Sequence, residues 1–186
     1  MVRRNRNLWV TIPERALMHL VEWTGAAARG AGDLHTAMGV VLRDVAAERG
    51  YVAGHAWVPA GPSDSWQSSG LWVGPDETRL HALRNACAGT SAGPVGGHLA
   101  LALERQATQW VGDLDALRGS AVHSAASAAG IVGAVACPVF AGGEAVALLE
   151  WYVATPARPV ADLPHALGHL SGVLSEVAER PGLVAC

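Results

Sequence analysis

The stretch AAGIVGAVACPVFAGGEAVALLEWY, residues 128–152, decides the fold. Two apolar runs, 131–140 and 145–153, flank the pair Gly142-Gly143, which suits the positive φ angles of a tight hairpin turn. Both runs are continuously apolar rather than alternating, so we predict two strands that are covered on both faces. Pro138 cannot donate to a β-ladder, and it therefore predicts a sheet edge or a bulge.

The composition predicts one packed domain. The chain has 186 residues, of which 51% are hydrophobic and 16% are charged. The formal net charge of -3 gives no basic surface for a nucleic acid, and no apolar run approaches the roughly 20 residues that span a bilayer. Cys87, Cys137 and Cys186 are far apart, which does not indicate a disulfide framework or a zinc ribbon. We expect a cytoplasmic protein without a nucleic-acid or membrane partner.

Helix signals occur at both ends of the chain. TIPE, residues 11–14, is a capping box, and the helix that it begins is expected to end near Gly30. Asp33 caps a second amphipathic helix that stops at Gly50. The last helix carries an alternating four-three leucine spacing, which is typical of a short heptad seam. Its members are Leu163, Leu167, Leu170, Leu174 and Val177.

The middle of the chain mixes strands with shorter helices. Residues 51–58 and 68–74 are predicted to pair as a hairpin, and residues 109–114 form a brief strand that runs into a loop. The predicted helices in this part begin near residues 75, 98 and 120. The order of elements predicts an α+β fold with an antiparallel sheet.

Two longer phrases carry a family resemblance. They are AGPVGGHLALALERQATQWVGDLDALR, residues 92–118, and AASAAGIVGAVACPVFAGGEAVALLEWY, residues 125–152. Together with the order of elements, they resemble a GAF domain over residues 33–180. The resemblance implies a central antiparallel sheet of about six strands, N- and C-terminal helices on one face and a ligand pocket on the other. Residues 1–32 would then be an N-terminal tail and helix, and residues 181–186 a C-terminal tail.

The resemblance also implies a function. We expect a non-enzymatic sensory or regulatory domain of a bacterial-type signal transduction protein. It would bind a small ligand, form a homodimer through its terminal helices and control an output domain or a partner kinase or regulator. Two alternatives stay open. One is a ligand-free dimerisation module, and the other is a thiol-dependent methionine sulfoxide reductase, whose Gly-rich turn carries a cysteine where this chain has GPVGG, residues 93–97.

Six residues are expected to line the ligand site. His123 resembles the histidine of the phytochrome pocket helix, but Val122 stands where the attachment cysteine would be, which excludes that covalent bilin linkage. A non-covalent tetrapyrrole or a haem is not favoured, since no histidine lies in a haem-binding motif. Flat tryptophan rings suit a planar ligand. The full set is His123, Trp110, Asp113, Trp72, Cys137 and Trp151.

Two further features admit two interpretations each. His165 and His169 stand at i and i+4, as in a metal pair, but no HExxH glutamate and no third ligand accompany them, so exposed histidines without a metal are expected. Glu150 interrupts an apolar strand. It is either a buried carboxylate or a residue that faces solvent or a capping helix, and alternation favours the second interpretation.

Overall fold

The hairpin at residues 133–153 forms the middle of an antiparallel sheet. The computed structural model describes residues 14–61, 65–74, 77–89, 96–114, 121–155 and 161–181. Strands β4 (Gly133–Ala141) and β5 (Glu144–Val153) are joined at Gly142 and Gly143, whose φ angles are 58° and 86°. This geometry confirms the predicted glycine turn.

Three more strands complete the described sheet. They are β1 (Ala53–Pro59), β2 (Trp66–Val73) and β3 (Gln109–Val111). The strand order is β2-β1-β5-β4-β3, which makes β5 the central strand. The described residues thus contribute five strands, where about six were expected. β3 pairs with β4 only as far as Ala136, so Pro138 lies where β4 has no β3 residue opposite it.

Helices cover the two faces of the sheet. One face, here called the terminal-helix face, packs against α1 (Glu14–Arg29), α2 (Leu34–Arg49) and α6 (Leu163–Ala178). The other, here called the short-helix face, packs against α3 (Glu77–Gly89), α4 (Gly97–Arg105) and α5 (Ala121–Ala128). The predicted α+β fold class is confirmed.

Local signals explain the ends of the first helices. The Asp33 carboxylate accepts a 2.7 Å hydrogen bond from the backbone N–H of Thr36, and Gly50 follows α2 at a φ of 66°. Residues 11–13 of the predicted capping box lie outside the described residues. In the described part of the chain, no helix combines the length and apolar character that a membrane crossing needs.

The terminal helices share one core with the sheet. All five members of the leucine seam of α6 are buried, and Leu17, Leu20 and Ala28 of α1 belong to the same apolar cluster. An exposed ion pair of 2.8 Å between Arg29 and Glu176 also joins α1 to α6. The packing therefore ties the N-terminal helix to residues 33–180.

Candidate functional site

A buried carboxylate lies at the centre of the short-helix face. Side chains alternate along β5, and this places Leu148, Glu150 and Tyr152 on that face, in the central strand of the sheet. Glu150 is only 2% exposed. Glu150 does not face solvent: it is a buried carboxylate, and the helix that covers it is α4, through His98.

Three donors from three elements satisfy this carboxylate. Oε2 accepts hydrogen bonds of 2.9 Å from the Trp57 indole Nε1 and 2.7 Å from the Tyr152 hydroxyl. Oε1 lies 2.9 Å from Nε2 of His98, in the first turn of α4. These four residues are here called the Glu150 cluster. The cluster joins α4 to the neighbouring strands β1 and β5.

The Glu150 cluster holds its acid ionised and its phenol neutral. Burial raises the pKa of Glu150, but the hydrogen bond and the charge of His98, with the Trp57 and Tyr152 bonds, outweigh burial and leave that pKa below its ordinary value. Burial and the neighbouring Glu150 charge raise the pKa of Tyr152 well above its ordinary value. Because an ionised carboxylate only accepts hydrogen bonds, the Nε2 atom of His98 is the donor in its contact with Glu150.

His55 extends the cluster along β1. It stands opposite Glu150 in the β1–β5 register, and its Nε2 atom lies 2.8 Å from the hydroxyl of Ser68. Burial lowers the pKa of His55 to about 4, so this imidazole is neutral. The Nδ1 atoms of His55 and His98 are buried and have no hydrogen-bond partner among the described residues. Buried polar atoms without a partner are rare in folded proteins and call for an explanation.

Aromatic rings surround His55. Its ring stacks on Trp72 at a centroid distance of 4.1 Å and meets the edge of Trp57 at 4.7 Å. Tyr152 lies nearly parallel to Trp72 at 5.9 Å, and the Arg84 guanidinium sits 5.7 Å from the Trp72 ring. Trp72 is only half-buried, so part of this aromatic surface is accessible.

Solved structures of other proteins have a similar architecture. No family model matches the chain, and no curated protein sequence matches it. Among solved structures, the GAF domain of a phosphoenolpyruvate-protein phosphotransferase from Coxiella burnetii superposes with a TM-score of 0.67 at 13% identity, covering 88% of this chain and 92% of that one. The phycoerythrobilin-bound GAF domain of a cyanobacterial phytochrome gives 0.62 at 15% identity, covering 89% and 97%. The chain has the GAF fold.

The structure of an enzyme is similar to this chain as well. The free methionine-R-sulfoxide reductase of Neisseria meningitidis, in complex with its substrate, superposes with a TM-score of 0.69 at 17% identity, covering 91% of this chain and 93% of that one. At identities this low, the likeness shows the fold alone. The function has to be argued from the residues of this chain.

The structure does not bring the six predicted site residues together. Trp72 lies beside the Glu150 cluster, and the half-buried His123 belongs to α5, on the same side of the sheet. Asp113 is exposed just after β3. The other three residues lie on the terminal-helix face instead: Trp110, Cys137 and Trp151. Trp110 and Trp151 both pair with Val135, so their side chains point to the same face as that of Val135, and Cys137 follows Val135 by two residues.

Most residues of this site were not predicted from the sequence. Trp57, His55, His98 and Tyr152 were not singled out, although Glu150 was. The alternation of side chains along a strand could have identified part of this site. His55 and Trp57 share one face of β1, and Glu150 and Tyr152 share one face of β5. The contribution of His98 depends on how α4 docks on the sheet, which local patterns do not encode.

The two described cysteines are poor candidates for thiol chemistry. Cys87 lies on the short-helix face, 3.9 Å from the Tyr152 hydroxyl, and burial raises its pKa to about 12. Cys137 lies on the terminal-helix face, 3.6 Å from the Leu167 carbonyl oxygen, and burial raises its pKa to about 11. Because the sheet separates them, the two thiols cannot form a disulfide in this fold, and neither is a thiolate at neutral pH.

A concave feature lies on the terminal-helix side of the sheet, away from the Glu150 cluster. A groove of about 560 Å³ runs between the start of α6, the end of β4 and residues 106–108. Its polar lining includes His165, His169 and Thr108, while Pro138 and Phe140 contribute apolar surface. Among the described residues, no group of three or more His, Cys, Asp or Glu side chains is arranged to hold a metal ion.

Proposed function

We propose that this chain is a non-enzymatic sensory GAF domain of a cytoplasmic, bacterial-type signal transduction protein, and that it binds a small polar molecule on its short-helix face. The Glu150 cluster is the observation that carries this proposal. It places an ionised carboxylate and an imidazole in the middle of an apolar sheet face. The two free, buried cysteines suit a reducing compartment.

The energetics of burial favour a functional reason for this cluster. Removing a carboxylate from water costs several kcal/mol, and well-packed apolar side chains fill such a space at similar or better stability. The surrounding side chains Leu80, Leu83 and Leu148 show that this face is otherwise apolar. A few polar groups that converge in an apolar setting are typical of small-molecule sites.

The residues suggest the class of ligand. Trp72 offers an accessible aromatic surface for a planar group. The unpartnered Nδ1 atoms of His55 and His98 supply hydrogen-bonding positions for polar atoms of the ligand. A small, planar molecule with hydrogen-bonding groups fits this combination. His123 and Asp113 are retained in the proposal as residues at the margin of the site.

Binding would be coupled to movement of α4. The Nδ1 atom of His98 is buried, so a ligand reaches it only if His98, and with it the first turn of α4, shifts away from Glu150. That shift alters the hydrogen bonds of Glu150, whose neighbour Trp151 donates a 3.1 Å hydrogen bond to the Leu42 carbonyl oxygen of α2. The proposed signal therefore passes through β5 to the terminal helices.

The terminal helices would transmit this signal as a dimer interface. Helix α1 exposes 65% of Met18 and 75% of Trp23, while it packs along α6 with its buried side. Tryptophan and methionine are enriched in protein interfaces, and two-fold dimers are the most common assemblies. An output domain or a partner regulator would respond to a change in the geometry of this pair of helices.

A thermal-shift screen of planar polar metabolites tests the proposal. We expect a binding compound to raise the unfolding temperature of the wild type and of Glu144→Gln, an exposed glutamate in the same strand. The same compound is expected to have little effect on Glu150→Gln. A compound that stabilises Glu150→Gln as strongly as the wild type would place binding elsewhere.

The screen also separates the alternatives. In a ligand-free dimerisation module, no compound would stabilise the protein, and Trp23 variants would still affect assembly. A thiol-dependent sulfoxide reductase would turn over free methionine sulfoxide with a thiol reductant, and the high pKa values of Cys87 and Cys137 argue against it. A visible absorption band in the purified protein would indicate a bound tetrapyrrole or haem.

A further inference from the structure

The outward side of α6 carries two histidines at helical spacing. His165 and His169 are both exposed and both line the groove beside β4. Residues four apart on a helix lie on one face with Cβ atoms about 6 Å apart, which allows two imidazoles to reach one ion with Zn–N or Cu–N bonds of about 2 Å. The groove is a second observation at the same place, because it leaves open space next to both rings.

We propose that His165 and His169 form a two-imidazole site for a late first-row transition ion such as Cu²⁺, Zn²⁺ or Ni²⁺. Imidazole nitrogens suit these ions, whereas Mg²⁺ and Ca²⁺ prefer oxygen ligands. The site lies on the opposite side of the sheet from the Glu150 cluster. It is independent of the proposed ligand-binding function.

The surface of α6 beside the two histidines is open and the opposite side is anchored. Gly168 lines the groove beside His169, and apart from its chain neighbours and the helix backbone no atom lies within 4 Å of where its Cβ would be. The opposite side of the helix is anchored by the buried Leu167 and Leu170. The backbone that carries the two histidines is therefore held in place, and this lowers the entropic cost of bringing the rings together.

The remaining coordination positions face the groove. No third His, Cys, Asp or Glu joins the pair among the described residues. Cys137 lines the groove but does not qualify, because its buried thiol lies against the Leu167 carbonyl and its pKa is raised to about 11. Water, or a donor atom of a small molecule in the groove of about 560 Å³, would complete the coordination.

Titration of the full chain with Cu²⁺, followed by electron paramagnetic resonance, tests this site. We expect one ion per chain with hyperfine structure from two nitrogen ligands. His165→Ala and His169→Ala are each expected to weaken Cu²⁺ binding by about tenfold or more, because each leaves a single imidazole. His19→Ala, which removes an exposed histidine from α1, is the matched control and should leave binding unchanged.

Circular dichroism of each variant confirms that the helix is intact. The proposal is overturned if the wild type binds no Cu²⁺, if the spectrum shows one nitrogen ligand, or if His165→Ala binds as tightly as the wild type. None of these outcomes bears on the thermal-shift screen, which probes the other face of the sheet. The two proposals can therefore fail separately.

Discussion

Glu150 and Trp151 are neighbours in β5 and point to opposite faces of the sheet. Glu150 lies 2.9 Å from His98 of α4, and Trp151 donates a 3.1 Å hydrogen bond to the Leu42 carbonyl of α2. One peptide unit thus connects the short helices to the terminal helices. A change at one of these hydrogen bonds has a direct covalent route to the other, and this connection is the structural basis of the proposed sensor.

Glu150→Gln is expected to lower the free energy of unfolding by roughly 2 to 4 kcal/mol. The N–H₂ group of the new amide donates rather than accepts, so a buried donor that now bonds to the carboxylate is left without an acceptor. Urea denaturation measures the change. The matched control is Glu144→Gln, an exposed position at the start of β5, which should stay within about 0.5 kcal/mol of the wild type. If Glu150→Gln were as stable as the wild type, the hydrogen bonds of the Glu150 carboxylate would contribute nothing to the free energy of unfolding.

His55 makes stability depend on pH. Burial lowers its pKa from an ordinary 6.5 to about 4, so the unfolded chain binds more protons than the folded chain between these values. The free energy of unfolding is therefore not reduced by His55 above pH 6.5. It falls as the pH drops from 6.5 towards 4, by roughly 3 kcal/mol in total.

Urea denaturation across this pH range checks the His55 effect. In His55→Gln the side chain no longer titrates, so the loss of stability between pH 6.5 and 4 should be markedly smaller than in the wild type. An unchanged pH profile in this variant would assign the loss to other groups. His81→Gln, at an exposed position of α3, serves as the control.

The buried thiols should be inert in the folded protein. In a Cys186→Ser background, Ellman's reagent is expected to label neither Cys87 nor Cys137 until denaturant is added, because both thiols are buried with raised pKa values. The same protein should show no thiol-dependent turnover of free methionine sulfoxide. Rapid labelling of the native protein, or turnover that Cys87→Ser abolishes, would support the enzyme alternative instead.

Trp23 is expected to lie in the dimer interface. Because its side chain is 75% exposed, Trp23→Glu should not disturb the core, but a buried charge would disfavour association of two copies. Sedimentation equilibrium is expected to show a dimer for the wild type and a shift to monomer for this variant. Gln67→Glu, exposed on the edge strand β2, should remain dimeric. A wild-type monomer at high concentration would rule out the dimer.

Local sequence patterns predict the elements of this fold well. The Gly142-Gly143 turn, the Asp33 cap and the leucine seam of α6 each depend on interactions within a few residues, and the structure shows all three. The GAF resemblance supplied the central antiparallel sheet and the position of the N- and C-terminal helices on one of its faces. These features need no knowledge of side-chain direction.

The site was harder to predict because it depends on the direction of each side chain and on the register of the strands. Trp151 and Cys137 were assigned to a pocket as members of apolar strands, but a shift of one residue moves a side chain to the other face of a sheet. The placement of His98 against Glu150 requires the docking of α4 across 52 residues of sequence. Such long-range contacts leave no periodic signal in the chain.

The most direct test of the central claim uses the indole N–H signals of the tryptophans in a proton–nitrogen correlation spectrum. Addition of a bacterial extract freed of macromolecules is expected to shift the signal of Trp57, which donates to Glu150, and that of Trp151, which donates to Leu42. The spectrum of Glu150→Gln should not respond to the extract. If Trp57 does not move, or if Glu150→Gln responds like the wild type, then the Glu150 cluster is not a ligand site.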